Sequence, residues 1–276
     1  MRSLLPARKP PSYVVGVSWP RSGHHLLVRL LRLYYGPDFT YCGFYGQAGC
    51  CGVAPCKKAG EIRYSKNHDF DGAVPQDPGQ RYLIQTRGFA PSVVSNFELY
   101  LREGGEDSAD SFARFASGQF APYRAFQDKW ITSDFASTQT VIPYENLVRD
   151  PATALTFALT TFEHVQPDPD RLRATIAQVD GEEVAHRRIR PRPGTGVHAP
   201  RDVTQFRHYD ARLFGYLDKL KLTRQEVNDV FRRLLDRDAA EANMLALQSI
   251  PSFAEVERMI LGSPEYTARG RRLRAV

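Results

Sequence analysis

Apolar positions along the chain fall into short blocks whose spacing alternates between strand-like and helix-like. Tyr13 to Ser18 is a compact, largely β-branched run of the kind that forms a buried parallel strand. A turn, Trp19-Pro20-Arg21-Ser22-Gly23, follows. Leu26, Leu27, Leu30, Leu31 and Tyr34 then recur at helical spacing. Gln80 to Thr86 predicts a second buried strand, and a helix is expected from near Pro91, a favoured first-turn residue. Residues 108–135 predict helix, with Phe112, Phe115, Phe120, Phe126 and Trp130 supplying a core face. Thr138 to Tyr144 predicts a third strand, and Ala152 to Phe162, residues 168–186 and Phe206 to Leu220 predict further helices. From Thr223 the pattern gives four short amphipathic helices, Gln225–Leu235, Ala239–Leu247, Phe253–Ile260 and Pro264–Arg272. Strands alternating with helices predict an α/β class with a central parallel sheet flanked by helices. The expected division is an α/β domain over residues 1–222 and a small helical appendage over 223–276.

Composition adds little to that picture and charge adds more. At 42% hydrophobic and 25% charged residues the 276-residue chain is ordinary globular material. A formal net charge of +6 favours an anionic partner without choosing among small ligands, nucleic acid and acidic polymers. No nucleic-acid-binding motif is present, so no nucleic-acid partner is expected. Met1 to Pro11 is basic but has no apolar h-region, and no stretch reaches the length of a membrane span. These features lead to the expectation of a cytoplasmic protein.

The first strand, turn and helix carry the clearest chemistry. A strand leading through a Gly-containing turn into a helix aims backbone N–H groups and a helix N-terminus at an anion. Arg21 adds a fixed positive charge. The Lys-[Ser/Thr] pair of a Walker A loop is missing, because His24 and His25 follow Gly23. The loop is therefore expected to hold phosphate without Mg²⁺, and no metal is assigned to the site.

Ser18 to Leu27 resembles the 5′-phosphosulfate loop of sulfotransferases, [TS]-[YF]-P-[KR]-S-G-[TN]-[TH]-W-L. Four more elements follow in that family's order. Lys66-Asn67-His68 resembles its K-[TS]-H motif, which implies His68 as catalytic base and Lys66 as the bridge between donor phosphate and transferring group. Asn67, Asp69 and Phe70 depart from the pattern. Arg87 and Ser95 resemble R-[ND]-P-x-D-x-x-x-S, whose Arg and Ser hold a 3′-phosphate, although Gly88-Phe89 replaces the usual pair. Tyr144 to Pro151 resembles Y-E-[DN]-L-x-x-[DN]-P, whose Tyr reaches adenine, while Asp150 and Pro151 read as helix cap and first-turn proline. Arg192-Pro-Gly-Thr-Gly196 resembles the R-x-G-x-x-G loop that closes over the 3′-phosphate, with its second glycine one residue early.

The resemblance covers about residues 12–220 and implies the P-loop NTPase-like sulfotransferase fold. It implies transfer of a sulfuryl group from 3′-phosphoadenosine 5′-phosphosulfate to a hydroxyl on a carbohydrate, lipid or small metabolite. The implied catalytic residues are His68, Lys66 and Arg21. The implied nucleotide contacts are Arg21, Ser22, Gly23, His24, His25, Arg87, Ser95, Tyr144, Arg192 and Gly194. Leu26 stands where the family often has an adenine-stacking Trp, and Trp19 is a candidate replacement. In the C-terminal part, Leu234-Leu-Asp-Arg-Asp238 and Ser263-Pro-Glu-Tyr266 resemble a small bacterial helical domain of unknown function. Two other functions fit parts of the chain: a Mg-dependent P-loop kinase, and a non-catalytic protein that binds an acidic polymer through the basic Arg187–Arg192 stretch.

All four cysteines, Cys42, Cys50, Cys51 and Cys56, lie in one Gly-rich segment with the spacing C-x7-C-C-x4-C. Three readings stand open. They are a tetrathiolate zinc site without the common paired knuckles, one or two disulfides, and a loop with reduced thiols.

Overall fold

A computed structural model describes residues 12–45, 50–163, 166–187, 202–250 and 252–273. Its sheet has five strands, β1 Val14–Ser18, β2 Tyr41–Cys42, β3 Tyr64–Asn67, β4 Tyr82–Thr86 and β5 Thr140–Pro143. Every pairing is parallel and the order is β2-β3-β1-β4-β5. The class expected from the sequence is thus observed. Two strands were not foreseen. β2 lies in the segment read as loop, and β3 lies across the Lys-Asn-His motif. Both are short and carry polar residues, so their strand character comes from pairing with neighbours rather than from apolar periodicity.

The chain divides into two compact units. The first, Met1–Asn96 with Phe126–Asp202, contains the whole sheet. One face of that sheet is covered by α1 (His24–Tyr35), α6 (Pro151–Glu163) and α7 (Pro169–Arg187). Leu27, Leu30 and Leu31 of α1 meet Leu155, Leu159 and Phe162 of α6 over Val14, Tyr64, Leu83 and Ile142. The spacing of those leucines is the helical stripe read from the sequence. Asp150 caps α6 as expected, its carboxylate accepting the Thr153 N–H at 3.0 Å. Between β4 and α6 the chain runs through α2 (Phe89–Arg102), α3 (Ala109–Trp130), α4 (Asp134–Ser137), β5 and α5 (Tyr144–Arg149). α2 starts two residues before Pro91.

The second unit, Phe97–Ala125 with Val203–Val276, joins the C-terminal helices to residues 97–125 and 203–222, which the sequence reading placed with the α/β domain. Its helices α9 (Arg224–Leu235), α10 (Glu241–Gln248), α11 (Phe253–Leu261) and α12 (Pro264–Leu273) match the four expected. A capping box between Thr223 and Glu226 opens α9. Val227, Val230, Phe231, Met244, Val256 and Ile260 form the core of this part. The helix expected over Phe206–Leu220 is shorter, α8 being Ala211–Leu217. Asp210 caps it by accepting the Arg212 N–H, and the residues before it are held in a separate turn by Phe206 N–H to Val203 O. No helix among the described residues is long and apolar enough to cross a membrane.

A buried polar chain fastens α1 to both sides of the sheet. His24 is 5% exposed and stacks on Tyr64 with ring centroids 5.6 Å apart. The Gln85 amide donates to Ser22 O, so its carbonyl accepts from His24 Nδ1–H at 3.1 Å. The other ring nitrogen, Nε2, then accepts the Tyr41 hydroxyl at 2.8 Å. Burial first, then the charges of Lys66, His25 and His68, hold His24 neutral, well below the usual imidazole pKa.

Two predictions follow from this packing. His24 and His68 are both harder to protonate folded than unfolded, so the unfolded state binds more protons between pH about 4 and 6.5. Melting temperature is expected to rise with pH across that interval and level off above it. His24→Phe keeps the volume but strands the buried Gln85 carbonyl. It should cost about 1–3 kcal/mol at neutral pH by urea unfolding and flatten the acid slope.

Candidate active site

The loop before α1 is held from inside. The Ser22 hydroxyl donates to Trp19 O at 2.6 Å. The Trp19 indole N–H donates to Ser92 Oγ at 3.1 Å, and the ring packs on Phe126 at 5.6 Å. Trp19 is only 3% exposed. It is a wall of the loop, and the idea that it replaces the adenine-stacking Trp is corrected by that burial. Gly23, at the N-terminus of α1, has φ 81°, and a Cβ there would lie 2.8 Å from the Tyr144 ring. Only glycine satisfies both conditions.

Around this loop the structure gathers residues that are far apart in sequence. Arg21 is exposed and donates from Nε to Ser95 Oγ on α2 at 3.0 Å. Arg87, at the end of β4, donates to Arg21 O at 3.1 Å and lies 4.0 Å over the Tyr144 ring. Arg21, Gly23, Ser95 and Tyr144 therefore come together at the C-terminal end of β1 and β4, where open parallel sheets bind ligands, with Ser22 and Arg87 buried beneath them. The sequence reading gave Arg21 and Ser95 to opposite ends of a nucleotide, yet the two touch. His24 is turned into the core, as described above, and its side chain is not part of this surface. His25 is exposed beside it. Burial and then the charges of Lys66, Arg21 and Arg32 depress its pKa. Arg192 and Gly194 lie outside the described residues.

β3 brings the second half of the site. Its register against β1 pairs Val17 with Asn67, so His68 emerges next to Ser18. His68 Nδ1 lies 2.5 Å from Ser18 O and 3.3 Å from Ser18 Oγ. A carbonyl can only accept, so Nδ1 carries the proton and Nε2 presents a lone pair. Burial first, and the Lys66 charge second, pull the His68 pKa down to about 4, against the opposing effect of the Ser18 carbonyl. Burial also lowers the pKa of Lys66, which is half-buried with its ammonium 5.6 Å over the Tyr45 ring.

Several residues of the site were not visible as motifs. Tyr45 stacks on His68 with centroids 5.4 Å apart, and its hydroxyl accepts the His68 backbone N–H at 2.8 Å while donating to Asn67 Oδ1 at 3.2 Å. Phe70, 62% exposed, sits 5.2 Å from the same imidazole. Asp69 is structural. Its carboxylate accepts Lys129 Nζ at 2.8 Å, Trp130 Nε1 at 2.7 Å and Val74 N–H at 2.8 Å. Three non-glycine residues with left-handed φ, Arg21 at 65°, Phe44 at 64° and Asp69 at 50°, lie in the segments that build the site. Such conformations cost energy and collect where function over-determines the backbone. An aromatic within a Gly-rich segment belongs to no motif of its own, which is why Tyr45 gives no sequence signal.

No family model and no curated protein sequence matches the chain. Among solved structures, the chain is similar to the crystal structure of mouse sulfotransferase SULT7A1 complexed with PAP, at 14% sequence identity and a TM-score of 0.52. The likeness covers 90% of this chain and 88% of the mouse protein. With the five-stranded parallel sheet and its flanking helices, it shows that this chain has the sulfotransferase fold.

Proposed function

We propose that the protein is a sulfotransferase that uses 3′-phosphoadenosine 5′-phosphosulfate and a hydroxyl acceptor, with His68 as general base. The observation that carries the reading is the joining of two separate elements at one place. The loop before α1 supplies Arg21 and helix N–H groups, and the end of β3 supplies Lys66 and a neutral His68, with Lys66 and Arg21 both acting on His25. That surface is cationic and suits an anionic donor. Gly23 keeps the loop open to it, because the site has no room for a side chain there.

In this reading Arg21, Gly23 and His25 take the 5′-phosphate, and Ser22, whose hydroxyl and N–H both donate to Trp19 O, holds the loop in shape for it. Arg87 and Arg192 take the 3′-phosphate, and Ser95, bonded to Arg21, stands between the two phosphates; Gly194 accompanies Arg192 in the same motif. Tyr144 lies along the nucleoside. His24 contributes its place at the helix N-terminus, since its ring nitrogens are committed to Gln85 and Tyr41. The bound donor supplies an electrophilic sulfur and a phosphate leaving group. His68 Nε2 accepts the acceptor's hydroxyl proton as the new S–O bond forms, and Lys66 and Arg21 neutralise the charge that grows on the departing phosphate. The low pKa of His68 keeps it neutral at physiological pH, ready to take a proton, and the Ser18 carbonyl fixes the tautomer that does so.

Thermal unfolding with adenosine 3′,5′-bisphosphate tests the donor site. At a concentration about one hundred times Kd, the ligand is expected to raise the melting temperature by roughly 5 °C without metal. Stabilisation by Mg²⁺–ATP alone would instead indicate a kinase. Salt-sensitive binding of an acidic polymer, with no response to either nucleotide, would indicate a binding protein.

Arg87→Lys should weaken the bisphosphate about tenfold and leave adenosine 5′-phosphate nearly unchanged, because a point charge loses the planar fork at the 3′ end. His68→Ala should lower turnover about 10²–10⁴-fold while the bisphosphate still stabilises the fold. In the unsubstituted protein, kcat/KM should fall on the acid side with an inflection near pH 4, well below an ordinary imidazole. Full activity in His68→Ala would overturn the assignment of the base.

A further inference from the structure

The cysteine segment has no role in the site described so far, and its geometry is specific. Cys42 Sγ lies 3.6 Å from Cys50 Sγ, and Cys51 Sγ lies 3.5 Å from Cys56 Sγ. Cys42 and Cys56 also interact, which links the two pairs into one cluster of four sulfurs. These separations are far from the roughly 2.05 Å of a disulfide bond. They approach the edge of a tetrahedron with zinc–sulfur bonds of about 2.3 Å, which is about 3.8 Å.

Each sulfur is also the acceptor of a backbone N–H. Gly52 N–H donates to Cys50, Lys57 N–H to Cys51 and Lys58 N–H to Cys56, each at 3.4 Å. The Phe44 backbone does the same for Cys42. The same N–H groups would donate to metal-bound thiolates, and the sequence sets two lysines directly after Cys56 to offset the charge.

We propose that Cys42, Cys50, Cys51 and Cys56 form a tetrathiolate zinc site that ties residues 50–56 to Cys42, and so to β3 beside His68. In the thiol form the sulfurs are paired two by two, and no three of them yet surround a point suited to an ion. Loading exchanges four S–H protons for one Zn²⁺ and draws the pairs together: four thiols and Zn²⁺ give a zinc tetrathiolate of charge −2 and four H⁺. Cys42 pairs with Ser65 in the sheet. At the other end of the segment, Cys56 N–H donates to the Tyr13 hydroxyl at 2.8 Å, and that hydroxyl is 2.7 Å from Ser65 Oγ. Both ends of the clip therefore bear on the residue just before Lys66. Tyr45, three residues after Cys42, is the wall of the His68 imidazole, so the ion would hold that wall in place.

The test uses the full chain purified under reducing conditions, freed of loose metal by a weak chelator and analysed by mass spectrometry for zinc. The expected result is about one zinc per chain, released in step with titration of the four thiols by a mercurial. Cobalt exchanged into the site should give the visible bands of tetrahedral sulfur coordination. Cys42→Ser/Cys56→Ser should lose the metal, and should that variant fail to fold, the zinc content and cobalt spectrum of the unsubstituted protein decide. Zinc below about a tenth of an equivalent, with four thiols freely titratable in the native protein, overturns the proposal. A Cys42–Cys50 or Cys51–Cys56 disulfide in non-reduced peptide maps overturns it as well. Because none of these readouts needs turnover, the outcome is independent of the nucleotide experiments.

Discussion

The close approach of β1 and β3 is the constraint on which the site depends. At Gly16 a Cβ would lie 2.3 Å from Ser65 O and 2.6 Å from the Tyr64 ring, so any side chain would push the two strands apart. With glycine there, the strands lie in register, Val17 sits opposite Asn67, and His68 comes within hydrogen-bond distance of the Ser18 carbonyl. The same strand delivers Arg21 and the α1 N-terminus a few residues later. One backbone contact thus fixes the distance between the loop before α1 and the imidazole.

Electrostatics follow from that placement. Arg21, Lys66, Arg87 and the start of α1 crowd positive potential into a small region, and three histidines share it. Each is held below its ordinary pKa by burial and by its cationic neighbours. The imidazoles thereby stay neutral where free histidine would begin to charge. The cost is acid sensitivity of the fold, since unfolding releases those imidazoles to take up protons. Site and stability are linked through the same groups.

Much of this was legible in the sequence, for identifiable reasons. The α1 leucine stripe, the Tyr13–Ser18 run, the Asp150-Pro151 cap and the four C-terminal helices are local patterns, each set by the period of its own element. Lys66, His68, Arg87 and Ser95 stood out because short motifs carry them in a fixed order. The strands β2 and β3 were not legible, because runs of two and four residues that include polar ones have no amphipathic signal of their own. Trp19 stood as a candidate stacking ring because nothing local shows that Ser92 and Phe126 enclose it. The division of the chain between two units was equally hidden, since α2 and α3 each run from one into the other.

The sequence by itself determined the chemical inventory: a glycine turn with an arginine and no Walker lysine, a lysine and histidine two residues apart, and four cysteines in fifteen residues. It did not determine how the three histidines are placed. His24 has both ring nitrogens bonded inside the core, His25 is exposed, and His68 alone has its Nδ1 tied to a carbonyl and its Nε2 presented as an acceptor. Those partners, Gln85, Tyr41 and Ser18, lie on different strands. Strand order and register bring them together, and both are settled by packing across the whole sheet rather than by any pattern along the chain.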